Sequence, residues 1–136
     1  LLASAEFSAV FEVTSGPNII AERAMYLTNG EQFTAGHQSA GITAPGLRWF
    51  LAEGATGSYF DLFVLVGNPG TEAAELTATY LLPDGSTRTK TYTVAPRSRF
   101  NIWVDEEQFP EGSGNRALAD TAVSVVVEST NGVPVV

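Results

Sequence analysis

The chain contains no cysteine and only one histidine among its 136 residues. Without thiols it has no disulfide, no thiolate nucleophile and no zinc–thiolate centre. No apolar run approaches the roughly 18 residues of a membrane-spanning helix, so we predict no membrane insertion. Lys and Arg together number 7 against 15 Asp and Glu, a net charge of −8. This balance opposes binding to nucleic acid and to anionic lipid, because both require a basic face.

The composition of the chain and the spacing of its turn-forming residues are those of a folded β protein. Apolar residues make up 44% of the sequence and charged residues 16%, which is enough apolar surface for a real core. Thr and Val are frequent, turn-forming residues recur at short intervals, and no helix-length segment is amphipathic at a period of 3.6. The sequence therefore predicts an all-β fold, an antiparallel β-sandwich that is Ig-like in outline.

The clearest element is a hairpin over residues 75–94. ELTATYLL (75–82) and STRTKTYTV (86–94) both alternate, and Pro83-Asp84-Gly85 between them is a strong hairpin turn. The alternation places two sets of residues each on one face: Leu76, Ala78, Tyr80 and Leu82, and Thr87, Thr89, Thr91 and Thr93. Shorter patterns predict further strands at 7–13, from Ile19 through 21–27, at 33–42, 48–54, 62–67, 99–104 and 121–129, and from Val133 onwards.

The two ends of the chain resemble each other. Residues 1–20 align without a gap on residues 117–136, an offset of 116 residues, which is a whole domain rather than a solenoid unit. Seven of the twenty columns are identical: Leu2/Leu118, Ala3/Ala119, Ser8/Ser124, Val10/Val126, Glu12/Glu128, Thr14/Thr130 and Gly16/Gly132. We predict that residues 21–136 form one sandwich repeat and that residues 1–20 overlap the end of a preceding repeat. Chance similarity between two strand pairs is the alternative.

Short boxes along the chain have the order of a known repeat. ERAMY (22–26), LAEG (51–54) and NPG (68–70) follow one another. This order resembles a tandem repeat of large exported bacterial proteins, in which boxes such as ERAMYW, LAEG and NPG recur once per repeat, and the resemblance covers nearly the whole chain from Phe7. It implies a β-sandwich and a secreted or cell-surface location, and it assigns no chemistry. The chain departs from the box at Leu27, where the repeat often has Trp.

The repeated ends have a consequence for pairing. A single sandwich has one place for the hairpin that both ends encode, so the other copy either packs as an additional edge hairpin or pairs with another molecule. We therefore expect neighbouring repeats or copies of the same chain as partners.

Four polar residues lie in or between the ERAMY and LAEG boxes: Glu22, Arg23, His37 and Glu53. His37, with Glu22 and Glu53, has the chemistry of a metal site, but the spacing matches no HExxH-type motif. We interpret His37 as a structural, hydrogen-bonded residue. Arg23 and Glu53 have apolar neighbours, which predicts half-buried partners of each other, or of Arg48; a catalytic Glu is the alternative.

Two further groups are candidates for binding. Asp105, Glu106, Glu107 and Glu111 form an oxygen-rich loop of the kind that calcium favours, although the D-x-D-x-D-G spacing is missing and a solvated loop is the simpler interpretation. No other cofactor is predicted. Exposed aromatics stack on sugar rings in carbohydrate-binding sandwiches, and the candidates here are Trp103, Trp49 and Tyr59. Trp103 is opposite in phase to Phe100, Ile102 and Val104, whereas the others suit the core as well.

No motif for catalysis is present. The nearest approach to a G-x-S-x-G elbow is GATGS (54–58), which has Thr56 at its centre and Ser58 in place of the second Gly. We predict a non-enzymatic structural or adhesive module of a secreted or cell-surface bacterial protein, which assembles with its neighbours through strand exchange. The alternative is a carbohydrate-binding module that uses surface aromatics, with a glycan or surface polymer as its partner.

Overall fold

The computed structural model describes residue 5, residues 7–30 and residues 32–136. Its elements are eight β-strands and one short 3₁₀ turn, Val104–Glu106. The strands are β1 (Glu22–Asn29), β2 (Gln32–Ala40), β3 (Arg48–Leu51), β4 (Phe63–Asn68), β5 (Ala74–Leu81), β6 (Thr87–Val94), β7 (Ser98–Trp103) and β8 (Ser124–Ser129). No helix in this part of the chain is long and apolar enough to cross a membrane.

The chain divides into two compact units. One contains residues 9–44, and the other contains residues 45–136 with residues 5, 7 and 8. The repeat boundary at residue 21 stays a prediction.

The smaller unit contains the β1–β2 hairpin. The two strands pair antiparallel from Glu22 opposite Ala40 to Asn29 opposite Gln32, with a register shift between Leu27 and Thr28. The strand predicted over residues 21–27 is confirmed, and the pairing continues to the residue after the hairpin, where the Gly41 N–H donates to the Ala21 carbonyl at 2.8 Å.

The larger unit is an antiparallel β-sandwich, which confirms the predicted fold class. Four strands form one sheet in the order β3-β8-β5-β6, and β4 pairs with β7 in a second sheet. Val64 and Val66 of β4 and Ile102 of β7 belong to the same buried cluster as the inward residues of the four-stranded sheet, so the core lies between the two sheets. Fifteen apolar residues form it: Val64, Val66, Ala74, Leu76, Ala78, Tyr80, Tyr92, Val94, Ile102, Val104, Leu118, Val123, Val125, Val127 and Val135.

The predicted hairpin over 75–94 is present as β5 and β6. Ala74 pairs with Val94 and Leu81 with Thr87, and the inward face of β5 is almost fully buried. Gly85 has a φ of 82°, a conformation that favours glycine, and its N–H donates to the Leu82 carbonyl at 3.0 Å. Alternation and turn chemistry thus agree with the observed register.

The strand predicted over residues 7–13 is absent, and this prediction is wrong. The corresponding residues at the other end form β8, whereas residues 7–20 adopt neither strand nor helix. The same alternation therefore gives a strand in one place and irregular chain in the other.

Candidate functional site

The segment that recurs at the two ends of the chain forms the central strand of the sandwich. β8 lies between β3 and β5 and hydrogen-bonds to both, so neither of its edges is free. We call the position that it fills between these strands the β8 slot. Three valines on β8 and just before it point into the core and are at most 4% exposed: Val123, Val125 and Val127.

Polar side chains fix β8 in its register. Glu128 forms an ion pair with Arg48, which lies directly opposite on β3. Ser124 Oγ donates to the Ala52 carbonyl oxygen at 2.6 Å. A shift by one residue would separate both pairs and turn the valines to the solvent.

The residues after β8 contact both sheets. The N–H and Oγ1 of Thr130 donate to the Glu75 carbonyl at 2.8 and 3.1 Å. Val135 exchanges two backbone hydrogen bonds with Gly46, just before β3, and Val136 exchanges two with Gly67 of β4. This terminal segment therefore links the two sheets through backbone hydrogen bonds.

Trp49, a candidate for stacking on sugar, takes part in this structural arrangement. Its Nε1 donates to the Val135 carbonyl at 2.9 Å, and the half-buried ring packs against the core. A Cβ at Gly46 would lie 3.3 Å from the ring, so a glycine there lets the backbone approach the indole closely.

Trp103 lies on the opposite side of β7 from the buried Ile102, as its phase predicts. Its ring stacks on that of Phe63, directly opposite on β4, with ring centroids 5.4 Å apart and planes at 29°. Leu65 follows on the same face of β4. These three side chains are between 41% and 47% exposed, and we call Phe63, Leu65 and Trp103 the aromatic shelf.

Tyr59, the third candidate aromatic, lies in the loop between β3 and β4. It is 87% exposed, and its ring contacts Phe60 edge to face at 4.9 Å.

The acidic residues predicted as calcium ligands each contact protein groups, and the first of them, Asp105, is buried. Asp105 is 8% exposed, its Oδ2 accepts from the Leu62 N–H at 2.9 Å, and its Oδ1 accepts from the Gly57 N–H at 3.4 Å. The carboxylate therefore holds the loop that precedes β4.

The other three carboxylates of the loop contact basic side chains. Glu106 pairs with Arg116, and Glu107 and Glu111 both pair with Lys90. Among the residues that the structure describes, no group of three or more His, Asp or Glu side chains is placed to hold a metal ion. The structure does not bring the four predicted ligands to one point.

A buried tyrosine pair beside Lys90 was missed by the sequence analysis. The hydroxyl oxygens of Tyr80 and Tyr92 are 2.7 Å apart. Burial raises the pKa of both phenols, and the hydrogen bond with Tyr80 raises the pKa of Tyr92 further. The Lys90 ammonium lies 5.8 Å from the centre of the Tyr92 ring. The sequence contains a sign of this pair, because the alternation of β6 places Lys90 and Tyr92 on the face opposite the four threonines.

Lys90 carries a positive charge that its neighbours stabilise. Partial burial by itself lowers the pKa of Lys90, but the carboxylates of Glu107 and Glu111 outweigh it and the net pKa is raised. The two carboxylates balance the charge of Lys90, which lies over the Tyr92 ring. These ion pairs connect β6 to the loop after β7.

The polar residues His37, Arg23 and Glu53 are all exposed. His37 lies on β2 and Arg23 on β1, and Glu53 lies beyond the end of β3, where it lines an open cleft of about 590 Å³. The predicted half-burial of Arg23 and Glu53 is wrong. The carboxylate that pairs with Arg48 belongs to Glu128, because the chain leaves the sheet before Glu53 is reached.

Thr56, at the centre of GATGS, is a structural residue. It is 5% exposed, and its Oγ1 donates to the Leu118 carbonyl at 2.6 Å and accepts from the Thr121 N–H at 3.0 Å. The hydroxyl thereby fastens this loop to the segment that enters β8.

The first copy of the recurring segment has a different environment. We call residues 7–20 the first copy and residues 123–136, which align with them, the second copy. The first copy is exposed along its whole length. Its apolar side chains include Phe7 (59% exposed), Val10 (82%), Phe11 (70%), Ile19 (59%) and Ile20 (88%).

Comparison with known proteins supports the fold and no more. Scans of family models and of curated proteins find no match. A solved structure titled Anabaena sensory rhodopsin transducer is 24% identical with a TM-score of 0.57, covering 71% of this chain and 96% of that one. A Thermotoga maritima protein, titled 1070, is 23% identical with a TM-score of 0.50, covering 67% of this chain and 75% of that one. Similarity at this level shows a shared β fold.

Proposed function

We propose that this chain is a non-catalytic repeat module of a secreted or cell-surface bacterial protein, with a structural or adhesive role. The observation that carries the proposal is the recurrence, 116 residues apart, of the segment that forms the central strand of the sandwich. A domain-length period is typical of modules strung along one chain.

The position of the second copy suits a module that bears load. A pull on the end of the chain acts first on the backbone pairs of Val135 with Gly46 and of Val136 with Gly67, and then on β8, which is bonded along both edges. Extracting a strand held on two sides breaks many hydrogen bonds together. This arrangement supports a role in which the module transmits force or spaces other modules.

The location is tested on intact cells of the organism that makes the protein. Antibodies against the chain are expected to label unpermeabilised cells, and external protease is expected to remove the label. An antibody against a cytosolic protein is the control, and it should label only after permeabilisation. Labelling by the first antibody only after permeabilisation would contradict the proposal.

Glycan binding is the second candidate, and the aromatic shelf supports it. Phe63 and Trp103 present stacked, half-exposed rings on the outer face of the two-stranded sheet, the geometry on which a sugar ring packs. A glycan array should show binding that Trp103→Ala abolishes and Tyr59→Ala, in the loop, leaves unchanged. Equal binding by the two variants, or none by the unaltered chain, would remove this candidate.

A further inference from the structure

Four of the seven identical columns coincide with residues that hold the C-terminal segment, residues 117–136, in place. Leu118 is fully buried, Ser124 bonds the Ala52 carbonyl, Glu128 pairs with Arg48, and Thr130 bonds the Glu75 carbonyl. Their counterparts are Leu2, Ser8, Glu12 and Thr14. Alternation of apolar residues explains none of these polar identities, whereas a shared binding position explains all of them.

The turn after the strand is also shared. Gly132 has a φ of 79° and Gly16 a φ of 99°, both in the region that favours glycine. The first copy therefore already has the left-handed turn that the second copy uses to reach Gly46.

The side of the first copy that aligns with the buried side of the second copy is apolar and exposed. Phe7, Ala9 and Phe11 align with the three valines that β8 buries, and Ile19 aligns with Val135, which is 1% exposed. Phe7 and Phe11 keep more than half of their surface in water. An exposed segment with alternating apolar residues that is not part of any strand is suited to completing a sheet.

From these observations we infer that the first copy binds as the central strand of another sandwich of the same type, in the register of β8. The inference rests on the proposed function, because in a tandem chain that sandwich is the preceding repeat. The partner is a sandwich whose own β8 slot is open. Its β3 and β5 supply the edges, its Arg48 pairs with Glu12, and its Ala52 carbonyl accepts from Ser8.

The sandwich of the same chain is not the expected partner, because its slot already holds β8. An acceptor for the first copy therefore needs an empty β8 slot.

Cysteine crosslinking between two full-length chains tests the register. The chain has no cysteine of its own, so every disulfide is engineered. The donor carries Glu12→Cys and keeps its β8. The acceptor carries Arg48→Cys. It also carries Ala9→Asp and Phe11→Asp in its first copy and Val125→Asp and Val127→Asp in its second copy, so that neither copy can fill its own β8 slot. Opposed residues of antiparallel strands are close enough for a disulfide.

The expected result is a disulfide-linked heterodimer, formed about tenfold more than with a register-shifted donor that carries Val13→Cys, since only one register places residue 12 opposite residue 48. The positive control is a peptide of residues 117–136 with Glu128→Cys, which carries the second copy and should bind the open β8 slot in its own register. Crosslinking of that peptide without crosslinking of the donor, or equal yields from the in-register and shifted donors, overturns the inference.

A second measurement does not depend on the folding of the acceptor. Intact chains that carry Glu12→Cys are mixed with intact chains that carry Arg48→Cys in urea at the midpoint of unfolding, where a fraction of the β8 slots is open at any time. An excess of the in-register heterodimer over the shifted one is expected, and equality overturns the inference. The crosslinks test the register of the first copy, and the antibody labelling of cells tests the proposed function. Failure of one can therefore be told apart from failure of the other.

Discussion

Residues 7–20 and residues 123–136 share an order of side chains and differ in almost everything else. The second copy contains the interior strand β8 and four buried valines, whereas the first copy is exposed and irregular. A strand needs partners for its backbone N–H and C=O groups, and neither propensity nor alternation supplies them. The comparison teaches that the β8 slot, rather than the segment, decides where the strand forms.

A buried charge should separate the two copies most strongly. Val127→Asp places an unpaired carboxylate at a position that is 3% exposed, and we expect it to lower the free energy of unfolding by about 4 kcal/mol or more. Phe11→Asp, at the aligned position, should change it by less than about 0.5 kcal/mol. Urea unfolding followed by tryptophan fluorescence measures both. A large loss from Phe11→Asp would mean that the first copy is packed in the folded chain.

Alkaline pH tests the sandwich that β8 completes, because Tyr80 lies on β5 opposite Val125. The raised pKa values of Tyr80 and Tyr92 keep both phenols protonated in the folded state, whereas in the unfolded chain they ionise near pH 10. The contribution to stability is therefore complete below pH 10 and is lost as the pH rises further, by about 1.4 kcal/mol per pH unit for each tyrosine. The raised pKa of Lys90 acts in the same direction above 10.5.

Tyrosinate absorbance and circular dichroism, recorded together, check this pH dependence. The signal of the two buried tyrosines should appear in step with unfolding, and Tyr92→Phe should make the loss of stability with pH shallower. Complete ionisation of all four tyrosines in a chain that is still folded would contradict the prediction.

Alanine at the paired glycines should have a smaller effect. At neither Gly132 nor Gly16 would an added Cβ meet an atom within 4 Å, so only the positive φ matters. Gly132→Ala should cost about 1 kcal/mol, because the terminal segment is held by hydrogen bonds on both sides of the turn. Gly16→Ala should cost less, since the exposed first copy can relax. Thermal unfolding compares the two variants, and equal losses would contradict the difference in constraint.

Replacing any of three glutamates by glutamine should change the stability of the fold least. Glu128→Gln removes the partly exposed ion pair with Arg48 and should cost about 0.5 kcal/mol at low salt, and nearly nothing in about 1 M salt, where the pair is screened. Glu12→Gln and Glu53→Gln, which alter exposed residues, should leave the melting temperature unchanged at either salt concentration. Salt-independent loss at Glu128 would point to packing rather than charge.

Local patterns predicted the parts of the fold that depend on near neighbours. The β5–β6 hairpin followed from alternation and an Asp-Gly turn, and the exposure of Trp103 followed from its phase against Ile102. The same patterns failed at Glu53, which is exposed because the chain leaves the sheet after Leu51. They left the position of Trp49 open between the core and the surface, and distant residues decide it, because Val135 and Gly46 meet its indole.

Sequence alone determined that the chain is an antiparallel β protein, that its ends repeat, and which side of each regular strand is apolar. Those properties are set by the period of the side chains and by turn residues, which act over a few positions. Only the tertiary structure decided which copy of the repeated segment becomes β8, which carboxylate pairs with Arg48 and that Trp49 packs against the core. The physical reason is that one slot exists between β3 and β5, and its hydrogen bonds and buried surface stabilise a single occupant.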